Sequence, residues 1–140
     1  MTVPPRPPSS RLLDSASLRF ILLSASAKVV GGLGFLTAMP ALGYALEETR
    51  SSVFLYESLM QLVFAYPSRR VSCAPSPNIW LHLAVGLGVA LQIACILLSP
   101  LRNLLGLVPL DLNIIAAVAA AVAATWLAAE LLGLRTPAGK

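Results

Sequence analysis

Four apolar segments alternate with short polar or proline-containing connections along the chain. We expect helices over residues of about 18–46, 49–66, 78–99 and 112–134. Residues 79–99 carry no charged side chain, and a helix of that length extends roughly 31 Å, about the thickness of a bilayer's hydrocarbon core. The pattern predicts an all-α integral membrane protein, folded as a bundle of four transmembrane helices.

The ends of the third segment carry the clearest start and stop signals. Asn78 precedes the apolar run, and asparagine commonly accepts hydrogen bonds from the free N–H groups at a helix start. Pro100 ends the run, and Pro109 precedes the fourth segment. Such a short connection between proline residues predicts that the third and fourth helices form an antiparallel hairpin.

The composition supports a membrane location. The 140 residues are 57% hydrophobic and only 11% charged, whereas about a quarter of residues in soluble domains are charged. The net charge of +4 is spread along the chain, with Arg69 and Arg70 as its densest point. Without a basic patch we expect no nucleic-acid partner. The expected partner is the lipid bilayer, and the expected location is the cell membrane, with several crossings.

Basic residues sort by connection, which predicts an orientation. The N-terminal segment, the second connection and the tail hold seven of them: Arg6, Arg11, Arg19, Arg69, Arg70, Arg135 and Lys140. The other two connections hold Arg50 and Arg102, together with three acids. Cytoplasmic loops carry the excess of Lys and Arg. We therefore expect a cytoplasmic, proline-rich segment at 1–17, a cytoplasmic tail at 135–140, and both termini inside the cell.

Two further features argue against processing and against a metal or disulfide site. The first apolar run begins late and is too long for a cleaved signal peptide. Cys73 lies in a connection while Cys95 lies roughly 24 Å along the third helix, too far for a disulfide. His82 is the only histidine, and no CxxC spacing occurs. We expect neither a zinc site nor another cofactor.

Three polar residues within the predicted membrane segments are candidates for function. Lys28 lies roughly 13 Å past Arg19 along the first helix, and charges at such depth are costly unless satisfied. Its ammonium group can reach back to the headgroups, pair with Glu57, or serve an ion or substrate. Glu57 and Gln61 share one face of the second helix at i, i+4. They serve either interhelical hydrogen bonding or an ion pathway.

Other residues point to helix packing. Gly31, Gly32 and Gly34 predict a close approach of the first helix to a neighbour, and Pro40 predicts a kink near its end. Gln92 is expected to hydrogen-bond between helices. Aromatic residues near the helix ends are expected at the membrane surface; they are Trp80 and Trp126, with His82 beside the first.

Several short motifs, in their order and spacing, resemble the C-terminal membrane region of cation-transporting P-type ATPases of the calcium-pump-like class. The third helix and its link to the fourth carry Asn78-x-Trp80-Leu81, Leu91-Gln92, Pro100-Leu101, Gly106 and Val108-Pro109-Leu110. The stretch from Glu47 to Gln61 resembles the turn into helix eight of these pumps and that helix itself. Met1 to Leu13 resembles the loop into helix seven. The resemblance covers nearly the whole chain.

The resemblance implies one metal-binding position. Gln61 falls where these pumps have a Glu or Gln on helix eight that contributes to an ion site. Two stretches depart from the family pattern: residues 64–67 replace a polar, asparagine-containing stretch, and the aromatic residue expected near Asn113 is missing.

The resemblance also implies a role without catalysis. The chain contains neither the DKTGT phosphorylation motif nor the TGE motif of a pump. We expect a membrane module that supports cation transport when assembled with the remaining helices or catalytic chain, as a truncated product, a split subunit or an independent protein. The alternatives are a stand-alone small transporter that uses Glu57 or Lys28 as its coupling group, and a regulatory membrane subunit.

Overall fold

The computed structural model describes residues 15–67 and 78–135, and the side chains of 18–67 and 78–131. Within these ranges no strand occurs, and the main helices are α1 (Ser15–Ala41), α2 (Leu46–Val63), α3 (Ile79–Leu97), α4 (Ser99–Leu104) and α5 (Leu112–Arg135). The predictions for residues 1–14, for the connection 68–77 with Arg69, Arg70 and Cys73, and for residues 136–140 lie outside the described residues.

Three of the helices are long and apolar enough to cross a membrane. In the part of the chain that the structure describes, they are Leu18–Ala41, Ile79–Leu97 and Leu112–Leu131. The prediction of an all-helical, multi-pass membrane protein is confirmed at this level. The helix α2, with Glu47, Glu48, Arg50 and Glu57, is not among the three.

The connection between α1 and α2 begins earlier than the sequence suggests. α1 ends at Ala41, just after Pro40, and Leu46 begins α2 instead of extending α1. Gly43 has a φ of 88°, a left-handed conformation that glycine adopts without steric cost. The N–H groups of Gly43 and Tyr44 bond back to Pro40 and Met39 at 3.0 and 3.1 Å. These bonds satisfy carbonyls that the end of a helix leaves free.

The third helix begins as predicted and ends two residues earlier. The side chain of Asn78 accepts hydrogen bonds from the N–H groups of Trp80 at 3.1 Å and Leu81 at 3.4 Å, so the predicted cap is confirmed. α3 ends at Leu97, and Leu98 is extended. Pro100 then lies in the first turn of α4, where proline is well tolerated because its missing N–H would have no helical partner.

α2 lies at the centre of the helix packing. It packs against α1, α3 and α5, while α1 also packs against α5. The buried core cluster takes residues from all four long helices: Met39, Leu55, Tyr56, Met60, Ile96, Ile114, Val118 and Val122. The outward side chains of α3, such as Leu83 and Leu87, are exposed, as expected for a lipid-facing surface.

The polar side chains in the first half of α2 are buried and bonded locally. Thr49, Ser51 and Ser52 are at most 1% exposed. Their hydroxyl groups donate to the carbonyl oxygens of Ala45, Glu47 and Thr49 at 3.0, 2.9 and 2.8 Å. The Ser51 hydroxyl oxygen also accepts from the N–H of Val108 at 3.0 Å. Because each hydroxyl has a partner, these residues can be buried at little cost.

Candidate functional site

An ion pair joins α1 to α2. The Nζ atom of Lys28 lies 2.9 Å from Oε2 of Glu57, and the two side chains are 24% and 35% exposed. Of the three interpretations of Lys28, the structure shows the pairing with Glu57. Each charge offsets the cost of partly burying the other.

Two glycines allow this approach. A Cβ atom at Gly32 would lie 2.7 Å from Oε1 of Glu57, and one at Gly31 would overlap the hydroxyl group of Tyr56. Gly31 and Gly32 follow Lys28 by three and four residues, so all three share one face of α1. The predicted close approach therefore occurs at these two glycines. Gly34 has open space where its Cβ atom would be.

Tyr56 connects the ion-pair region to α5. Its side chain is fully buried, and its ring contacts that of Phe35 with centroids 5.4 Å apart. The Tyr56 hydroxyl lies 3.1 Å from Oγ1 of Thr125, which itself donates to the carbonyl of Ala121 at 2.8 Å. Since the proton of Thr125 is thus used, Tyr56 is the donor between the two hydroxyls.

Sequence reasoning missed the contact between Tyr56 and Thr125. The available signal was Thr125 itself, the one hydroxyl residue in the alanine-rich fourth segment. Hydroxyl groups in such segments commonly hydrogen-bond between helices. Its partner, which lies 69 residues away, follows only from the packing of α2 against α5.

Gln61 lies one helical turn after Glu57 on α2, and its side chain is exposed. The structure therefore gives Glu57 and Gln61 different surroundings. The carboxylate of Glu57 is bound to Lys28, whereas the amide of Gln61 is open to a neighbour. Among the described residues, no group of three or more His, Cys, Asp and Glu side chains is placed to hold a metal ion.

The aromatic residues near the helix ends and the amide of Gln92 differ in exposure and in hydrogen bonding. Trp80 is 74% exposed at the start of α3, and His82 Nδ1 lies 3.2 Å from the hydroxyl of Tyr66. Trp126 has its indole Nε1 atom buried without a hydrogen-bond partner, and the same holds for Oε1 of Gln92. The interhelical hydrogen bond predicted for Gln92 is therefore not formed at its acceptor atom.

A known protein family matches almost the whole chain. The family model described as "Cation transporting ATPase, C-terminus" matches residues 1–134. The chain belongs to this family. The resemblance to the C-terminal region of cation-transporting P-type ATPases is thereby confirmed. Neither the curated proteins nor the solved structures gave a match.

Membership in the cation-ATPase C-terminal family allows the polar side chains to be considered as part of a larger pump. The family is a membrane part of a cation-transporting ATPase, without that enzyme's catalytic domains. In this family member, the Lys28–Glu57 pair and Tyr56 lie at contacts between helices of the chain. Gln61 instead faces outward, where a carbonyl oxygen is available to a group outside the chain.

Proposed function

We propose that the chain is a non-catalytic C-terminal module of a cation-transporting P-type ATPase in the cell membrane. In this role its helices support the transport helices of the pump, and a separate part of the pump binds and hydrolyses ATP. The observation that carries the proposal is the family match over residues 1–134.

The proposal includes a four-helix membrane bundle with both termini in the cytoplasm. α1, α3 and α5 have the length and composition of membrane spans, and α2 packs against all three. The hydroxyl groups of Thr49, Ser51 and Ser52 and the carboxylate of Glu57 have partners within the chain, which is the condition for burying polar residues at membrane depth. With α2 as a fourth crossing, the basic N-terminal segment, the 68–77 connection and the tail lie on the same side.

We assign Lys28 and Glu57 a structural role and Gln61 a role in cation binding. A carboxylate held at 2.9 Å by an ammonium group is poorly placed to bind a cation, because the lysine must first be displaced. The Gln61 amide offers a carbonyl oxygen, which is a common ligand for hard cations such as Ca²⁺. Its exposure supports a site completed by oxygen ligands from other helices of the pump.

The assembly is tested by purifying the tagged full chain from its native membranes in mild detergent. P-type pumps form an acyl phosphate on an aspartate, so the preparation is incubated with radiolabelled ATP with and without Ca²⁺. We expect a co-purifying chain to acquire a label that hydroxylamine removes and that depends on the cation. Purification of the chain alone, with no labelled partner, would contradict the proposal.

The role of Gln61 is tested in the same preparation. Gln61→Ala removes the carbonyl oxygen, and we expect the cation concentration for half-maximal phosphorylation to rise about tenfold, the loss of one charge-assisted contact. Gln61→Glu retains an oxygen ligand and should keep the site functional. Gln92→Ala is the matched control, because it removes an amide from α3 instead. Equal cation dependence in the wild type and Gln61→Ala would remove Gln61 from the site.

A further inference from the structure

An apolar groove opens between α2, α3 and α5. Its walls include Leu55 and Leu59 from α2, Ile93 and Leu97 from α3, and Ile115 and Ala119 from α5, and its volume is about 190 Å³. An apolar cavity of about 150 Å³ stays dry and accepts an apolar molecule. Ile93 and Leu97 are more than half exposed, so the groove is open to the surroundings of the bundle.

Arg102 lies at the end of this groove. Its Nη1 atom donates to the carbonyl oxygen of Ile96 at 3.2 Å, and Ile96 lines the groove. Its Nη2 atom lies 3.3 Å from the hydroxyl of Ser99. The guanidinium group is thus held over the last turn of α3 by neutral oxygen atoms. Among the described residues no carboxylate forms an ion pair with it.

The guanidinium group retains donors for a further partner. An arginine has five N–H donors in a planar fork, and the contacts to Ile96 and Ser99 use two of them. Phosphate oxygens match this fork well. An unpaired cation beside an apolar groove therefore combines the two recognition elements of a phospholipid, namely a phosphate and an acyl chain.

We propose that this groove is a phospholipid-binding site. The phosphodiester of one lipid binds the free N–H groups of Arg102, and one of its acyl chains lies in the groove between α2, α3 and α5. A transmembrane helix of another protein would satisfy the apolar walls but would bring no anion to Arg102. The charge beside the groove therefore favours the lipid. The site requires membrane insertion alone and is independent of the pump assembly proposed above.

Binding is measured on the full chain, delipidated in a neutral detergent, by native mass spectrometry. The probe is dioleoylphosphatidylglycerol, and we expect one molecule to be retained per chain. Two partial probes identify the parts that are recognised: dioleoylglycerol lacks the phosphate, and glycerophosphoglycerol lacks the acyl chains. Each should bind at least about tenfold more weakly than the intact lipid, because each lacks one of the two contacts.

Matched variants locate the site. Arg102→Gln removes the charge and should weaken retention about tenfold, whereas Arg50→Gln removes an exposed charge near the start of α2 and should leave it unchanged. Ala119→Phe fills the groove and should also reduce retention. Ala120→Phe, its neighbour on α5, is the control for bulk. Circular dichroism of each variant establishes that the helices remain folded.

The proposal requires both halves of the site. If Arg102→Gln and Ala119→Phe retain the lipid as the wild type does, the site is not there. If only Arg102→Gln weakens binding, the acyl chain lies elsewhere and the groove assignment is wrong. If glycerophosphoglycerol binds as well as the intact lipid, Arg102 recognises a free phosphate ester and the proposal is equally overturned.

Discussion

The neighbouring helices α2 and α3 differ in composition and in position. α2 contains charged and hydroxyl residues, yet it lies at the centre of the packing and buries six of its residues. α3 has no charged residue, yet only three of its residues are buried in the chain: Val85, Cys95 and Ile96. In a membrane protein, apolar side chains gain nothing from leaving lipid for protein, whereas polar groups need partners. The polar helix is therefore inside.

The comparison also shows how polar residues are accommodated. In α2, the hydroxyl groups bond to the helix's own carbonyls, Glu57 binds Lys28, and Tyr56 binds Thr125. In α3, the carbonyl oxygen of the Gln92 side chain is buried without a partner. We therefore expect the paired polar groups of α2 to stabilise the bundle and the unpaired acceptor of Gln92 in α3 to weaken it. The variants below test this difference, beginning with the largest effect.

Removing the Glu57 charge should have one of the two largest effects. Glu57→Gln leaves Lys28 without its anion, and a single unpaired charge costs about 2.5–3.5 kcal/mol at the centre of a membrane helix. Since both side chains are partly exposed, we expect a loss of about 1–3 kcal/mol in the free energy of unfolding. The measurement is reversible denaturation in detergent, followed by circular dichroism. The double variant Lys28→Met with Glu57→Leu should lose less than the single one.

The glycines of α1 should respond in opposite directions. Gly31→Ala places a Cβ atom against the buried Tyr56 hydroxyl and should cost about 1–3 kcal/mol by overpacking. Gly34→Ala enters open space and should stabilise the helix by up to about 1 kcal/mol. The two variants differ only in position, so equal effects in the same denaturation experiment would contradict the described packing of α1 on α2.

Loss of the Tyr56 hydroxyl should have a moderate effect. Tyr56→Phe keeps the ring contact with Phe35 but removes the hydrogen bond to Thr125, and hydrogen bonds between membrane helices contribute about 0.6 kcal/mol on average, up to about 1.7. Thr125→Val removes the other partner and should cost a similar amount. If the two hydroxyls act as a pair, the double variant loses less than the sum of the single ones.

The smallest effect, and of opposite sign, is expected in α3. Gln92→Leu replaces a buried acceptor that lacks a partner by an apolar group, which should leave stability unchanged or raise it by up to about 1 kcal/mol. A clear loss of stability would mean that Gln92 has a partner in the folded protein, and α3 would then resemble α2.

The sequence predicts the local features of this fold well and the contacts between distant segments poorly. The run of apolar residues predicts α3, and Asn78 predicts its start. Both signals are local, because they depend only on residues that are neighbours in the sequence. The sequence leaves three partners open for Lys28. Glu57 is selected only because Gly31 and Gly32 bring α1 close to α2 at that point. The separate helix α4 also escapes prediction, because a proline such as Pro100 can follow the end of one helix or lie in the first turn of the next.

The candidate site shows the same limit. The family resemblance identifies Gln61 but not the direction of its side chain, which depends on the faces that α2 presents to α1, α3 and α5. The burial of Trp126 also escapes prediction: its position near a helix end predicts the membrane surface but does not show that its indole nitrogen is buried against the chain.

The central claim, that the polar helix α2 crosses the membrane among three apolar ones, is tested most directly by cysteine labelling in sealed vesicles. Cys73 lies in the sequence between α2 and α3, and a second variant, Ala45→Cys with Cys73→Ser, reports the connection before α2. If α2 spans the bilayer, a membrane-impermeant maleimide added outside labels one of these proteins and not the other. Labelling of both from the same side would show that α2 does not cross.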